Sequence, residues 1–130
     1  MKALLPPGWP RPKGYSNGIA ATGRTIYTAG VVGWDEQEHF VADTLPGQFA
    51  QALRNIVAIL AVDGAAPSNL VRLTCYVTSI DAYLAGLPEI GAAWKQIVGP
   101  HYPAMALVEI VRLVEPHALI EIEATAMIPE

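Results

Sequence analysis

Between Pro46 and Val98 the hydrophobic period changes twice. From Pro46 to Val62, Phe49, Leu53, Ile56, Val57 and Leu60 fall on one face of a helix. Thr44 stands where an N-cap belongs, Pro46 suits the first turn, and Asp63-Gly64 closes the helix. From Asn69 to Thr78 the period drops to two. There Val71, Leu73, Cys75 and Val77 alternate with Arg72, Thr74 and Tyr76. A helical period returns from about Ala82 to Val98, capped by Ser79 or Asp81 and stopped by Gly99-Pro100. Its stripe is Tyr83, Leu87, Ile90, Trp94 and Ile97. Two one-sided helices flanking a strand must bury their stripes on a common sheet.

The flanks supply that sheet. Ser16 to Thr22 and Thr25 to Val32 read as a hairpin turning at Gly23-Arg24. Asp35 to Glu38 is a polar turn, and His39-Phe40-Val41 reads as a short edge strand. After the second helix, Met105 to Leu113 and Leu119 to Ile128 form two more strands joined at Glu115-Pro116. The predicted order is ββαβαββ, with both helices in crossovers. Right-handed crossovers place both on the same side, giving a two-layer α+β domain over residues 1–130. Residues 1–17 carry four prolines and form an extended lead-in, with Trp9 as its expected anchor.

In the final strand Ile120, Ile122, Ala124 and Ala126 share one face. Leu119, Glu121, Glu123, Thr125 and Met127 share the other, too apolar for open solvent and too acidic for a core. A face half buried between subunits suits both. The composition agrees: 52% of residues are apolar, 15% are charged against a usual value of about 25%, and mean hydropathy is +0.33. Eight cations against twelve carboxylates give a net charge of -4 with no basic run, which disfavours nucleic-acid partners. The single cysteine, Cys75, lies on an apolar strand face and excludes an intrachain disulfide. The prolines interrupt any signal-like start, and no uninterrupted apolar run reaches membrane-spanning length. The expectation is a cytoplasmic protein with no membrane partner.

Several blocks in order resemble the RidA/YjgF family. His101-Tyr102-Pro103-Ala104-Met105-Ala106-Leu107-Val108-Glu109-Ile110 and Leu119-Ile120-Glu121-Ile122-Glu123-Ala124-Thr125-Ala126 look like its C-terminal signature. Lys13-Gly14-Tyr15-Ser16-Asn17-Gly18 is similar to its "GPY…G" segment, and Tyr27-Thr28-Ala29-Gly30 to its "TSGQ" strand. Leu53-Arg54-Asn55-Ile56 and the strand Val71 to Val77 also fit, so the resemblance runs from about residue 13 to 128. It implies a chorismate-mutase-like fold, a homotrimer with small-molecule clefts between subunits, and no metal or organic cofactor. Enamine/imine deaminases are among the family's members. Ribonuclease and translation-inhibitor activities are attributed to others, but the net charge of -4 weighs against them here.

The same resemblance sets the expected site. Tyr15 corresponds to the family's site tyrosine, and Glu121 to the carboxylate that orients or activates water. Gly30 keeps the close backbone approach. The chain departs at three positions. Met105 stands where the family's deaminases carry a carboxylate-gripping arginine, Ala29 where they carry serine, and Pro88 where an asparagine is found. A thioether donates no hydrogen bond, so Met105 suits an apolar or aromatic substrate portion rather than a simple 2-imino acid. Leu107 follows it on the same strand face, and Trp34 and His101 are further candidates for the cleft wall. Alternation places Glu109 on the face of Glu121 and Glu123, and Arg72 and Arg112 away from it. The alternative reading is a non-catalytic, metabolite-binding trimer.

Overall fold

A computed structural model describes residues 1–130. Its main sheet follows from the alternating segments. Strands β3 (Arg24–Tyr27) and β4 (Val31–Val32) both pair antiparallel with β7 (Ile120–Ile128). Next to β7 lies β5 (Leu70–Val77), antiparallel to it and parallel to the far strand β6 (Ala104–Glu109). Helix α1 (Leu45–Val62) and helices α2 (Ile80–Ala85) and α3 (Leu87–Ile97) cover one face. The predicted mixed α+β sheet with helices packed on it is therefore present.

The core is the predicted face of each element. Leu53, Ile56 and Leu60 of α1, Leu73, Cys75 and Val77 of β5, and Ile120, Ile122 and Ala126 of β7 are almost completely buried. Burial pushes the Cys75 thiol up to about 12, so it is an inert apolar filler. Thr44 caps α1 by accepting the Gly47 amide, and Gly64, at φ +79°, takes the left-handed turn after it. One buried polar group was not expected. Gln48 is 1% exposed, donates to the carbonyls of Ala42 (3.1 Å) and His117 (2.9 Å), and accepts from the Leu119 amide (2.7 Å). It staples two loops to α1.

Five of the expected strands and helices need correction. Residues 16–22 do not form a hairpin with the next strand. Instead β2 (Gly18–Ala20) pairs with β1 (Lys2–Leu4), which lies ahead of the proline run and so keeps its backbone donors. Gly23-Arg24 leads onto β7, where Arg24 lies opposite Ile128. The expected strand 25–32 breaks at Thr28, whose hydroxyl accepts the Ala124 amide at 3.0 Å. The expected helix 82–98 is two helices meeting at Gly86, with Ser79 capping the first and Pro88 in the first turn of the second. Strand 105–113 ends at Glu109, and Val111 and Val114 beyond it are 96% and 95% exposed. Segment 39–41 makes only a single bridge, Phe40 to Trp34.

Trp9 does not anchor the lead-in, being 59% exposed. Ser16 does so instead: its amide donates to the Pro103 carbonyl at 3.0 Å and its hydroxyl to the Tyr102 carbonyl. The predicted polar turn is built on Asp35, whose carboxylate accepts the amides of Gln37 and His39. Those bonds, the His39 amide first, hold its carboxyl below the usual carboxylate range.

Candidate functional site

A cavity of about 350 Å³ opens between α3, the edge strand β6 and the segment before β2. That size lies within the range of roughly 300–1,000 Å³ typical of small-molecule sites. Met105 and Leu107 of β6 line it because register pairs them with the buried Leu73 and Cys75, turning them to the helix side. Helix α3 contributes Leu87, Gly91 and Lys95 in a row four residues apart, with Ile90 and Trp94 beside them. Tyr102 stacks on Trp94, with centroids 6.1 Å apart and rings 14° from parallel. Lys13, Gly14 and Tyr15 form the opposite lip. The Ser16 bonds to 102–103 hold Tyr15 there, 43% exposed. Tyr83 closes the α2 end. Burial, then the neighbouring Cys75, pushes its hydroxyl up, so it is a neutral donor at ordinary pH.

The second cluster lies on the other face of the sheet. Glu121 pairs across β5 with Tyr76 and Glu123 with Thr74, so all four turn away from the helices. At the break in the β3–β4 strand the Thr28 hydroxyl donates to the Ala29 carbonyl at 2.8 Å. The exposed amides of Ala29 and Gly30 donate to no protein group. A Cβ placed on Gly30 would lie 2.6 Å from both Cδ and Oε2 of Glu121. Only a glycine lets the Glu121 carboxylate rest against this backbone. Tyr76 donates its hydroxyl to Glu123 at 2.8 Å. That bond, with the Glu123 and Glu121 charges, raises the tyrosine's pKa.

The structure thus sorts the predicted residues into two sets. Tyr15, Met105 and Leu107 meet in the cavity; Ala29, Gly30 and Glu121 meet on the opposite face. Two candidates belong to neither. His101 points Nε2 at the Leu70 carbonyl, 2.6 Å away, and its own carbonyl accepts the Trp94 indole N–H at 3.0 Å. It therefore braces the cavity wall rather than lining the cavity. Trp34 packs on Phe40 with centroids 5.7 Å apart, and its carbonyl accepts from Asn55. Glu109 is corrected too: it pairs with buried Val77, and its carboxylate accepts the Ile80 amide at the start of α2. Arg72 pairs with Thr125, on the glutamate face rather than away from it.

Sequence reasoning missed Lys13, Tyr83, Gly91, Trp94, Lys95 and Tyr102 as cavity residues. The legible signal for α3 was the Leu87–Gly91–Lys95 row beside the core stripe.

Comparison with known proteins follows this geometry. The endoribonuclease L-PSP family model matches residues 10–128. A RutC family protein of Pyrococcus horikoshii is 31% identical over 119 residues, 90% of each chain. A human 2-iminobutanoate/2-iminopropanoate deaminase is 30% identical over 105 residues, 80% of this chain and 73% of that one. The crystal structure of a Rid family protein from Yersinia pestis superposes with a TM-score of 0.84 at 31% identity, covering 98% of both chains. The chain therefore belongs to the endoribonuclease L-PSP family, the RidA/YjgF proteins that its motifs resemble.

Proposed function

We propose that this protein hydrolyses an enamine or imine metabolite other than a simple 2-imino acid, releasing ammonia in a cleft completed by a second copy of the chain. The observation that carries the proposal is the Gly30–Glu121 contact. It sets a carboxylate, able to take a proton, beside two backbone amides with no partner in the chain. The relatives named as 2-imino acid deaminases, 24–30% identical, support the reaction class.

The chemistry asks for few groups. An enamine takes a proton on its β-carbon and becomes an iminium. Glu121 accepts a proton from water as the oxygen bonds to the iminium carbon. Glu121 passes that proton to nitrogen, and as the C–N bond breaks it takes the hydroxyl proton back. Ammonia thus leaves a neutral carbonyl product, and the proton from the first step is returned to solvent. Water is consumed and no oxidation state changes, so the reaction requires no redox cofactor. Tyr15 orients the substrate, and Met105 and Leu107 hold its apolar body.

One copy cannot supply all of this, because the cavity and Glu121 lie on opposite faces of the sheet. In a closed ring of three copies, each cleft takes the cavity of one and the Gly30–Glu121 edge of the next. The open glutamate face, where Val108 is 44% exposed, suits such burial.

A panel of enamines and imines generated in situ tests the proposal by ammonia release, with the oligomeric state measured by light scattering. The expected result is a trimer that releases ammonia from apolar or aromatic members, with Glu121→Ala slower by about 10²-fold or more. No release above that variant on any member overturns it. A second reading, a non-catalytic metabolite-binding trimer, is favoured by Met105, since a thioether offers a substrate carboxylate nothing. Tight ligand binding without turnover would establish it.

A further inference from the structure

We propose that the cavity under α3 selects a planar aromatic anion, its ring held beside Trp94 and Tyr102 and its negative group read by Lys13 and Lys95. This deepens the reading above by naming the substrate class. It takes from that reading only that this cavity receives the substrate.

The first argument is charge. The chain has eight cations and a net charge of -4, yet two of the eight line this one cavity and no carboxylate does. Neither is neutralised. The chain's salt bridge, Arg24 to Asp63 at 3.0 Å, lies elsewhere, and no ion pair engages Lys13 or Lys95. Lys95 also suits the last turn of α3, but a helix end asks only for a nearby cation. It does not ask for that cation on the same helical row as Leu87 and Gly91, facing the cavity.

The second argument is shape. Gly91 sits inside α3, where glycine costs about 1 kcal/mol relative to alanine. A Cβ there would meet nothing within 4 Å, and Gly91 is not among the positive-φ glycines. The fold therefore gives no reason for glycine at 91. Its effect is to widen the cavity between Leu87 and Lys95, beside the near-parallel Trp94–Tyr102 pair. An aromatic ring suits that wall. Met105 carries no charge, so the charge readers are the two lysines: Lys13 on the N-terminal segment and Lys95 on α3.

Three stable probes separate ring from charge: 3-phenylpropanoate, propanoate and 3-phenylpropan-1-ol, titrated against the full-length protein by calorimetry. Phenylpropanoate should bind about a hundredfold tighter than propanoate, from burial of the ring. It should bind about tenfold tighter than the alcohol at low salt, a margin that shrinks as salt rises. The double variant Lys13→Gln/Lys95→Gln should bind the acid and the alcohol alike. Gly91→Leu should lose all binding while melting no lower than the parent, because it fills space and strengthens a helix.

Equal binding of acid and alcohol to the parent overturns the proposal, as does an acid preference that survives the double variant, or the absence of phenylpropanoate binding. If these binding results hold and no ammonia is released, the deaminase reading fails and this one stands. If ammonia is released without the selection, the reverse follows.

Discussion

Replacing Gly30 by alanine should separate catalysis from stability. The new methyl carbon would sit 2.6 Å from Cδ and Oε2 of Glu121 and 3.1 Å from its Cγ. Carbon and oxygen atoms settle at about 3.5 Å, so the carboxylate must retreat by roughly 1 Å. Little resists that movement. Gly30 is exposed and is not among the positive-φ glycines, so alanine suits the backbone. The obstructing atoms are the end of a half-buried side chain that can rotate. An off-rotamer torsion costs about 1 kcal/mol, which for a domain of this size is a few degrees in Tm. Chemistry is less forgiving, since a group misplaced by about 1 Å costs on the order of 10² in rate. The assay is initial ammonia release on the best substrate of the panel, with thermal unfolding of the same preparation. The expected result is a rate near that of Glu121→Ala with Tm within about 4 °C of the parent. An unchanged rate would show that the Glu121 position does not matter. A loss of more than about 10 °C would make Gly30 a structural residue and remove it from the site.

Two further substitutions test other parts of the argument. Gln48→Leu keeps the volume but orphans the Ala42 and His117 carbonyls and the Leu119 amide. His117 is exposed and Ala42 and Leu119 are half-buried, so water satisfies part of the loss. The variant should cost about 1–2 kcal/mol in denaturant unfolding, and a loss under about 0.5 kcal/mol would contradict the stapling role. Tyr76 has its pKa raised in the fold, chiefly by the hydrogen bond to Glu123. That contact therefore adds stability below the unfolded tyrosine value of about 10 and loses it as pH rises through the higher folded value. In an absorbance titration at high pH, with Tyr76→Phe identifying the signal, Glu123→Gln should move Tyr76 back toward the ordinary range. No movement would mean the pair does not persist in solution.

What the sequence revealed follows from what period can encode. Helix α1 and strands β5 and β7 were legible because their alternation is one-sided and the partner face is the core. Thr44 and Gly64 marked the ends of α1 because caps are local chemistry. The failures were decisions made by tertiary partners. The Val111 and Val114 alternation reads as strand, yet no neighbouring strand extends to pair it, and both side chains lie in solvent. The strand breaks after Tyr27 because Thr28's own hydroxyl, rather than a main-chain carbonyl, takes the Ala124 amide of the neighbouring strand β7. Pro88 signals a helix start, which splits the second helical pattern at Gly86.

The site was half legible for a related reason. Alternation fixes which residues of one strand share a face, but it transfers to the next strand only when the register is known. Glu121 and Glu123 share a face from sequence alone. Assigning Glu109 to them required the pairing of β5 with β6, and that pairing places Glu109 opposite Val77 on the helix side. The same register puts Met105 and Leu107 with the core and leaves Glu121 on the far face. Side chains on opposite faces of one sheet have the hydrogen-bonded backbone between them. No small substrate bound to one copy reaches both. Either the cavity of one copy meets the Gly30–Glu121 edge of another, and the chain is an enzyme only as an assembly, or the cavity binds its ligand with no carboxylate to activate water. Mixing two inactive variants, Glu121→Ala and Gly91→Leu, decides between these. Random reassociation gives about one quarter of the clefts an intact cavity facing an intact glutamate when the site spans two copies. Activity near that fraction of the parent supports the shared cleft, and none at all removes it.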